Sequence, residues 1–396
     1  MFSFKLDNIF QSHWFYLAFF IVMNTVYIPI EGETISWLKV LMMAVASIQL
    51  FISMRVSKLY LLCLAYWLCC VCMASFHLES FRWATILYLG MFCLSFAAYY
   101  QAVHCNLFTQ TEFYDLLKKM IYAYFVVMLV QQAYSLLGGG RNLWLNYTGV
   151  ENKPNMLALE VSHAARTLSA FLLCIFRLLE IEIGHKVSLN ELWKRERVLV
   201  CIFLYCMLFM GSGTSMMCLL LLSLYFVSSK MVVILASFFV GICIANEYIE
   251  WTPLNRAMAI LSALTTDATN RVAIGRADGS AAYRVVPLMN TLFRLNLFSL
   301  DTWMGKGCDA SVNTDIFLGV RYVSNLLDYG FLSYLLSIFI VLKFCVKKVF
   351  SLEVLFYVFL CLTNMSNVAW CWGIYMTFAT TFFFQKNKNE NSVCLV

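Results

Sequence analysis

The chain has 396 residues, of which 62% are hydrophobic and only 13% are charged, and its mean hydropathy is +0.77. A soluble domain of this length carries far more charge, so the composition excludes a soluble enzyme and predicts an all-α polytopic membrane protein. The net charge of +6 is spread unevenly, so it gives no indication of nucleic acid as a partner.

Apolar runs predict the helices, since a membrane-spanning helix needs about 20 apolar residues. About twelve such runs lie near 13–30, 36–54, 57–75, 84–104, 117–137, 156–179, 198–211, 214–229, 231–249, 329–345, 352–367 and 368–385. No small-residue cleavage site follows the first run, so we expect a retained helix rather than a signal peptide. The chain is therefore expected to form a single transmembrane domain over 1–396.

Clusters of lysine and arginine between the runs predict the topology, because cytoplasmic connections are enriched in these residues. The clusters lie at 55–58, 118–119, 186–197, 230, 343–348 and 386–388. If about twelve spans alternate, all of these clusters and both termini lie in the cytoplasm. Two longer connections, at about 138–155 and 250–328, then face the periplasm.

The larger outer connection is rich in arginine, which is unusual on this side of a membrane. It contains Arg256, Arg271, Arg276, Arg284, Arg294 and Arg321, but only one lysine, Lys306. Arginine presents a planar fork of donors, so this composition predicts a phosphate or carboxylate ligand. A predicted helix over 279–298 carries Arg294, and the Gly305-Lys306-Gly307 turn beyond it is expected to expose backbone N–H groups to the anion.

The sixth run begins with the features of a helix start. Proline at Pro154 presets the first turn, and Asn155 can cap free N–H groups. Glu160, His163 and Arg166 follow at spacings of three, so they share one helix face, with Arg166 about eleven residues into the helix and near mid-membrane. Arg166 is expected to face the bundle interior and to pair with Glu160. This face is either a structural ion pair or part of the substrate site.

No pattern in the sequence predicts a metal or a cofactor. The 16 cysteines lie almost entirely in apolar runs, where they act as small hydrophobic residues, and their spacing is not that of a metal site. The small residues in Met210–Met217 are interpreted as a close-packing hinge between two short runs.

Taken in order, these features resemble the bacterial O-antigen ligase and polymerase superfamily of membrane glycosyltransferases. The matching features are Gly-x-x-x-x-Pro-Asn-x-x-Ala at 149–158, the small Ser/Thr turn at 211–215, Arg284 before Gly305-Lys306-Gly307, and Asp328-Tyr329-Gly330. Ligases of this family have a histidine around Gly319 to Tyr322, where this chain has Arg321. The resemblance is therefore closer to the polymerases, although the arginine expected before the first glycine is missing and Arg141 is the nearest candidate.

The resemblance implies transfer of a glycan from undecaprenyl diphosphate to another lipid-linked repeat unit. Arg284, Arg294 and Arg321 would hold the diphosphates as catalytic residues without a metal, and Glu160 or His163 would act as the general base, with Asp301 and Asp328 as alternatives. The expected substrate contacts are Tyr147, Asn155, Arg166, Trp303, Gly305, Lys306, Gly307 and Asp328. The expected partners are the undecaprenyl-diphosphate-linked oligosaccharide, membrane lipid, a flippase and a chain-length regulator.

Three other functions stay open at this point. An O-antigen ligase-type transferase would share most of these features. A transporter or flippase of anionic lipid-linked sugars would place buried charges in both halves of the chain and show repeat symmetry. Another lipid-dependent glycosyltransferase would use an acidic pair in the first outer connection, where Glu31 and Glu33 are the candidates.

Overall fold

A computed structural model describes residues 13–25, 36–53, 56–137, 154–158, 160–227, 258–259, 262–263, 266, 276, 296–308, 321–362 and 368–393. Over these residues the regular structure is helical, and no strand is formed among them. The predicted helical class is therefore confirmed. The ninth apolar run and most of both outer connections lie outside the described residues.

The described ranges contain twelve α-helices. They are α1 His13–Asn24, α2 Trp37–Ser53, α3 Lys58–Ser75, α4 Trp83–His104, α5 Gln110–Leu136, α6 Val161–Ile183, α7 Leu189–Phe209, α8 Gly213–Ser223, α9 Leu300–Met304, α10 Arg321–Cys345, α11 Leu352–Leu362 and α12 Val368–Val393. A 3₁₀ turn, Leu78–Ser80, connects α3 to α4.

Most helices follow the apolar runs closely. The runs at 57–75 and 84–104 correspond to α3 and α4 with shifts of one residue. Other bounds differ from the predicted runs. Helix α5 begins at Gln110 rather than near 117, and α7 begins at Leu189 rather than near 198. Helix α6 begins at Val161 rather than near 156, and the predicted helix over 279–298 does not include its last residues, because Leu297 and Phe298 form a turn before α9.

Among the described residues, three helical segments are long and apolar enough to cross a bilayer: Lys58–Ser75, Trp83–His104 and Leu326–Cys345. Helices α1, α2, α8 and α11 are apolar but shorter. Large apolar side chains such as Phe51, Leu68 and Phe339 are exposed, as side chains in contact with lipid would be. These features are consistent with a membrane protein, and the number of about twelve spans stays a prediction.

Helix α12 lies at the centre of the bundle, where it packs against α1, α4, α6 and α10. The hydroxyls of Tyr99 and Thr380 share a buried hydrogen bond of 2.8 Å, which joins α4 to α12. Gly373 permits the close approach to α1, because a Cβ at this position would lie only 2.9 Å from the Met23 carbonyl oxygen. Larger residues at position 373 would therefore separate the two helices.

Capping boxes begin two of the helices. Thr109 and Glu112 exchange hydrogen bonds at the start of α5, and Ser188 and Glu191 do the same for α7, so free N–H groups at both helix starts are satisfied. The backbone N–H of Ser188, followed by its hydroxyl, lowers the pKa of Glu191. The carboxylate therefore remains ionised at the positive end of the helix dipole.

A part-buried ion cluster joins α6 to α11. The Arg177 guanidinium donates to both oxygens of Glu353, at 2.6 Å and 3.1 Å, and to the Glu180 carboxylate at 2.9 Å. The Tyr225 hydroxyl, just beyond α8, also donates to Glu180 at 2.7 Å. One arginine therefore links the chain segments on either side of the large outer connection.

We expect the Arg177–Glu353 pair to show strong energetic coupling. Arg177→Ala leaves two carboxylates without their cation and should lower the free energy of unfolding by about 3 kcal/mol or more. The Arg177→Ala/Glu353→Ala double variant should lose clearly less than the sum of the single variants. Denaturant unfolding in detergent micelles measures each value.

The exposed pair Arg195–Glu182, with an N–O distance of 2.7 Å, is the matched control. Its coupling energy should be below about 1 kcal/mol, because solvent screens both charges. If the losses for Arg177→Ala and Glu353→Ala simply add in the double variant, the coupling energy is zero. A coupling energy no larger than that of the control pair would show that the part-buried ion pair does not stabilise the fold.

Candidate functional site

The turn before α6 is fixed by the side-chain amide of Gln131 on α5. The Gln131 Nε2 group donates to Asn155 Oδ1 at 2.9 Å, and its Oε1 accepts from the Met156 backbone N–H at 2.8 Å. Asn155 Nδ2 in turn donates to the Ala158 carbonyl at 2.8 Å. These bonds hold Met156 at φ 56°, in the left-handed region that residues other than glycine seldom adopt.

This turn corrects the prediction that Pro154-Asn155 opens the helix. Residues 154–158 are not helical, because the Asn155 amide bonds within its own turn and to Gln131 instead of capping helical N–H groups. Glu160 is the N-cap residue of α6. The Asn155 side chain is buried and both ends of its amide are engaged, so it holds the turn, while its predicted contact with substrate stays a prediction.

The first turns of α6 carry the polar face that the spacing predicted. His163 and Arg166 are both 0% exposed, as predicted for Arg166, and α6 is buried on all sides from residue 162 to residue 176. Arg166 is only five residues beyond the first residue of α6, or about 8 Å along the helix axis, rather than eleven residues into the helix. Arg166 therefore lies near the start of α6, close to the turn that Gln131 fixes.

Helix α8 contacts the same face of α6. Thr167, Ser169 and Ser215 are fully buried, and the Cys218 thiol interacts with Ser169 and with the charge of Arg166. A buried guanidinium, imidazole and hydroxyls on adjoining helices can donate several hydrogen bonds to an anion.

Glu160 lies at the edge of this buried face. Its carboxylate is partly buried and accepts a hydrogen bond from the Ser162 hydroxyl at 3.2 Å. The backbone carbonyl of Glu160 accepts from the His163 N–H at 3.0 Å, which forms the first turn of α6. The expected pairing between Glu160 and Arg166 stays a prediction.

Lys39 is a buried ionisable side chain that the sequence prediction omitted. It lies on α2, is 1% exposed, and its Nζ donates to the Met23 carbonyl at 2.9 Å. The adjacent carbonyl of Asn24 accepts from the Tyr124 hydroxyl at 2.5 Å, so polar side chains satisfy the end of α1. A single lysine inside an apolar run is costly in a membrane, and this signal could have identified it.

Tyr124 connects Lys39 to the polar face of α6. Its hydroxyl, on α5, lies within interaction range of the Thr167 side chain, and Thr167 directly follows Arg166. Lys39, Tyr124 and Thr167 therefore lie close to one another, where α2, α5 and α6 meet the end of α1. This arrangement was not predictable from spacing, since its members come from four separate helices.

The Gly305-Lys306-Gly307 turn packs against α10 and does not have the predicted form. We expected its backbone N–H groups to be open to an anion. Instead, Lys306 N–H donates to the Leu327 carbonyl at 2.7 Å, and Gly307 N–H donates to the Asp328 carbonyl at 3.1 Å. The N–H of Gly305 donates to the Asp301 carbonyl at 2.9 Å. All three backbone donors are therefore already used by carbonyls.

The glycines of this turn are explained by close backbone packing. Gly305 has φ 76°, and a Cβ there would lie 2.5 Å from the Asp328 carbonyl oxygen. Gly330, with φ 79°, interrupts the helical geometry of α10 and presses against the Trp303 carbonyl. Helix interruptions leave carbonyls without their usual i+4 donors, and the turn supplies N–H groups at this point.

Other predicted residues of this region occupy different environments. Lys306 is exposed and Asp328 is buried. Trp303 is partly exposed and packs edge-on against Phe331, with ring centres 5.2 Å apart. Lys306 and Trp303 can therefore reach a ligand at the surface, whereas Asp328 lies within the packed kink.

The arginines expected to be catalytic are described only in part. Arg284, Arg294 and Tyr147 lie outside the described residues. Arg321 is the first residue of α10, and its side chain lies outside the described part of the structure. The structure therefore leaves the roles of all four residues as predictions.

Comparison with known proteins gives no relative: no family model matches the chain, and neither a curated protein nor a solved structure matches it. Within the described ranges, no group of three His, Cys, Asp or Glu side chains is placed to hold a metal ion. The function must therefore be inferred from the chain's own residues.

Loss of the Gln131 amide is expected to loosen the turn before α6. Gln131→Ala should lower the free energy of unfolding by about 1–3 kcal/mol, because it leaves buried polar groups of Asn155 and Met156 without this partner. Met156→Gly removes the strain at φ 56° but also a side chain that is 0% exposed, so it should lower the free energy of unfolding by about 2–4 kcal/mol. Denaturant unfolding in micelles measures both effects.

The neighbouring Gln132 is the matched control. It is also partly buried and accepts one hydrogen bond, from Tyr205 at 2.8 Å, so Gln132→Ala should cost about 1 kcal/mol or less. An equal loss for both glutamine variants would contradict a special role for Gln131.

Proposed function

We propose that the chain is a bacterial membrane glycosyltransferase that polymerises lipid-linked oligosaccharide repeat units, of the O-antigen or capsular polysaccharide polymerase type. The observation that carries the proposal is the face of α6 on which His163 and Arg166 are 0% exposed inside an apolar helical bundle. Charge in this position is costly and typical of substrate paths in membrane proteins. The sequence resemblance to O-antigen polymerases suggests which reaction this charge serves.

The proposed setting is the bacterial inner membrane, with about twelve spans and both termini in the cytoplasm. Three described helical segments with the length and hydropathy of membrane spans support a membrane setting. The lysine and arginine clusters between the apolar runs support the orientation. The arginine-rich connection then faces the periplasm, where lipid-linked repeat units would be polymerised.

The proposed reaction breaks the bond between the first sugar of the growing glycan and undecaprenyl diphosphate. The acceptor hydroxyl of a second lipid-linked repeat unit forms the new glycosidic bond. Its proton passes to His163 or Glu160, and undecaprenyl diphosphate leaves with the bonding electrons. Arginine can stabilise the developing diphosphate charge, and Arg166, Arg284, Arg294 and Arg321 are the residues proposed for this role.

A second candidate function is transport of anionic lipid-linked sugars, and Lys39 is the observation that favours it. Buried basic side chains are not confined to the outer connection, since Lys39 lies in α2 and Arg166 in α6. Purified protein in liposomes loaded with the lipid-linked repeat unit separates the two functions. A polymerase lengthens the glycan, whereas a transporter moves unchanged repeat units across the bilayer.

Loss of Arg166 or Arg284 is expected to remove long-chain polymer and leave single repeat units. One missing donor to the leaving diphosphate should slow transfer by roughly a hundredfold. Lysine should restore little at either position, because a point charge cannot reproduce the bidentate fork. Gel ladders of the surface polysaccharide, at matched protein levels in the membrane, measure the effect.

Arg195→Ala is the control for this experiment, since Arg195 is an exposed arginine paired with Glu182. It should leave the ladder unchanged. If the protein level falls in Arg166→Ala, Arg166→Gln is the variant to measure, because glutamine fills more of the buried space than alanine and keeps two N–H donors. Normal ladders from well-expressed Arg166 and Arg284 variants would exclude both residues from the mechanism.

The proposed topology predicts that residues 186–197 are cytoplasmic. A single cysteine introduced at Asn190, in a background with the exposed cysteines replaced, should resist membrane-impermeant maleimide in intact cells. It should react after the membrane is opened, because this connection is exposed in the protein. Labelling of Asn190 from outside would overturn the orientation.

A further inference from the structure

A histidine from another part of the chain contacts the Gly305-Lys306-Gly307 turn. His77 lies in the short connection between α3 and α4, and its Nε2 is 3.0 Å from the Gly305 carbonyl oxygen. A carbonyl oxygen only accepts hydrogen bonds, so Nε2 must carry the proton. This bond exists both in the neutral tautomer with a proton on Nε2 and in the charged imidazolium.

Packing around Gly307 places the same connection directly against the turn. Gly307 has φ 93°, and a Cβ on it would collide with the Ser80 hydroxyl and would lie 2.7 Å from His77 Cβ. On its other side, Gly307 N–H donates to the Asp328 carbonyl. The turn is therefore held between the α3–α4 connection and the interrupted part of α10.

Cys308 is buried next to the contact between the turn and the α3–α4 connection. It follows Gly307 directly, is 1% exposed, and accepts a weak hydrogen bond from the Tyr329 hydroxyl at 3.8 Å. Its thiol can react with a maleimide only when the turn moves away from α10 and the α3–α4 connection. The reaction rate of this native thiol therefore reports opening of the turn.

We propose that His77 is a positioning residue that fixes the Gly305-Lys306-Gly307 turn against the kink of α10. The bond from imidazole to carbonyl joins two segments that are 228 residues apart in the chain. By holding the turn, His77 sets where exposed Lys306 and Trp303 lie. The consequence for catalysis rests on the proposed function, whereas the effect on the turn does not.

The test measures the maleimide reaction rate of Cys308 in detergent-solubilised full-length protein, by peptide mass spectrometry. His77→Ala should raise the rate about fivefold, the change in opening equilibrium expected from loss of one ordinary hydrogen bond. His77→Gln should stay within about twofold of the wild-type rate, because its Nε2 can still donate to Gly305. His185→Ala, a change at an exposed histidine in another connection, should have no effect.

Two outcomes of the labelling experiment would overturn the proposal. An unchanged rate in His77→Ala would show that His77 does not hold the turn. An equal increase in His77→Ala and His77→Gln would show that ring packing, not the hydrogen bond, is responsible. Neither outcome depends on the polymerase reaction, so failure of the proposed function remains distinguishable.

Gel ladders of the surface polysaccharide then distinguish a positioning role of His77 from acid–base catalysis by its imidazole. His77→Gln should retain long polymer, and the dependence of its activity on pH should match that of the wild type. In one outcome, His77→Gln keeps the slow maleimide reaction of Cys308 but produces only single repeat units. This outcome would overturn the positioning role of His77, because it would show that the imidazole acts on the substrate itself.

Discussion

Polar groups buried in an apolar bundle must find partners within the protein, and this requirement determines how the described helices are joined. The end of α1 shows it most clearly: Lys39 meets the Met23 carbonyl, and Tyr124 meets the Asn24 carbonyl. The interrupted helix α10 meets the same requirement with backbone N–H groups from Lys306 and Gly307. Each contact joins segments that are distant in sequence, so satisfying a helix end also fixes the packing of the bundle.

The helices were largely predictable because apolar length is a local property of the sequence. Runs such as 57–75 and 84–104 became α3 and α4 with little change. The start of α6 was not predictable from the same information. Pro154-Asn155 has the residues of a helix start, but Gln131 on α5 engages Asn155 and Met156 in a turn. The long-range hydrogen bonds of Gln131 therefore determine the local structure here, although Pro154-Asn155 by itself favours a helix start.

The candidate site was predictable where one helix carries it and not where several elements meet. Arg166 was correctly predicted to be buried, although α6 is buried on all sides around it, so the spacing did not select one face. The Gly-x-Gly pattern was misread, because glycine suits an anion-binding loop and a close backbone crossing equally well. Only the positions of Leu327 and Asp328 decide between them. Gln131 and His77 were missed because each acts through a contact with a distant backbone segment, whereas Lys39 could have been identified as a single lysine inside an apolar run.

These contacts also bear on how a substrate anion would be held. A buried guanidinium at Arg166 is fixed by the surrounding helices, so it loses little further freedom when it binds a diphosphate. Lys306 is exposed on a turn, and its orientation depends on the glycines and on His77 beneath it. Arg166 on α6 would therefore be preorganised for an anion by side-chain packing, whereas Lys306 would be preorganised by the backbone contacts of the Gly305-Lys306-Gly307 turn. If both regions serve one substrate, a change in the His77 contact would alter the position of the surface cation while the cation on α6 stays in place.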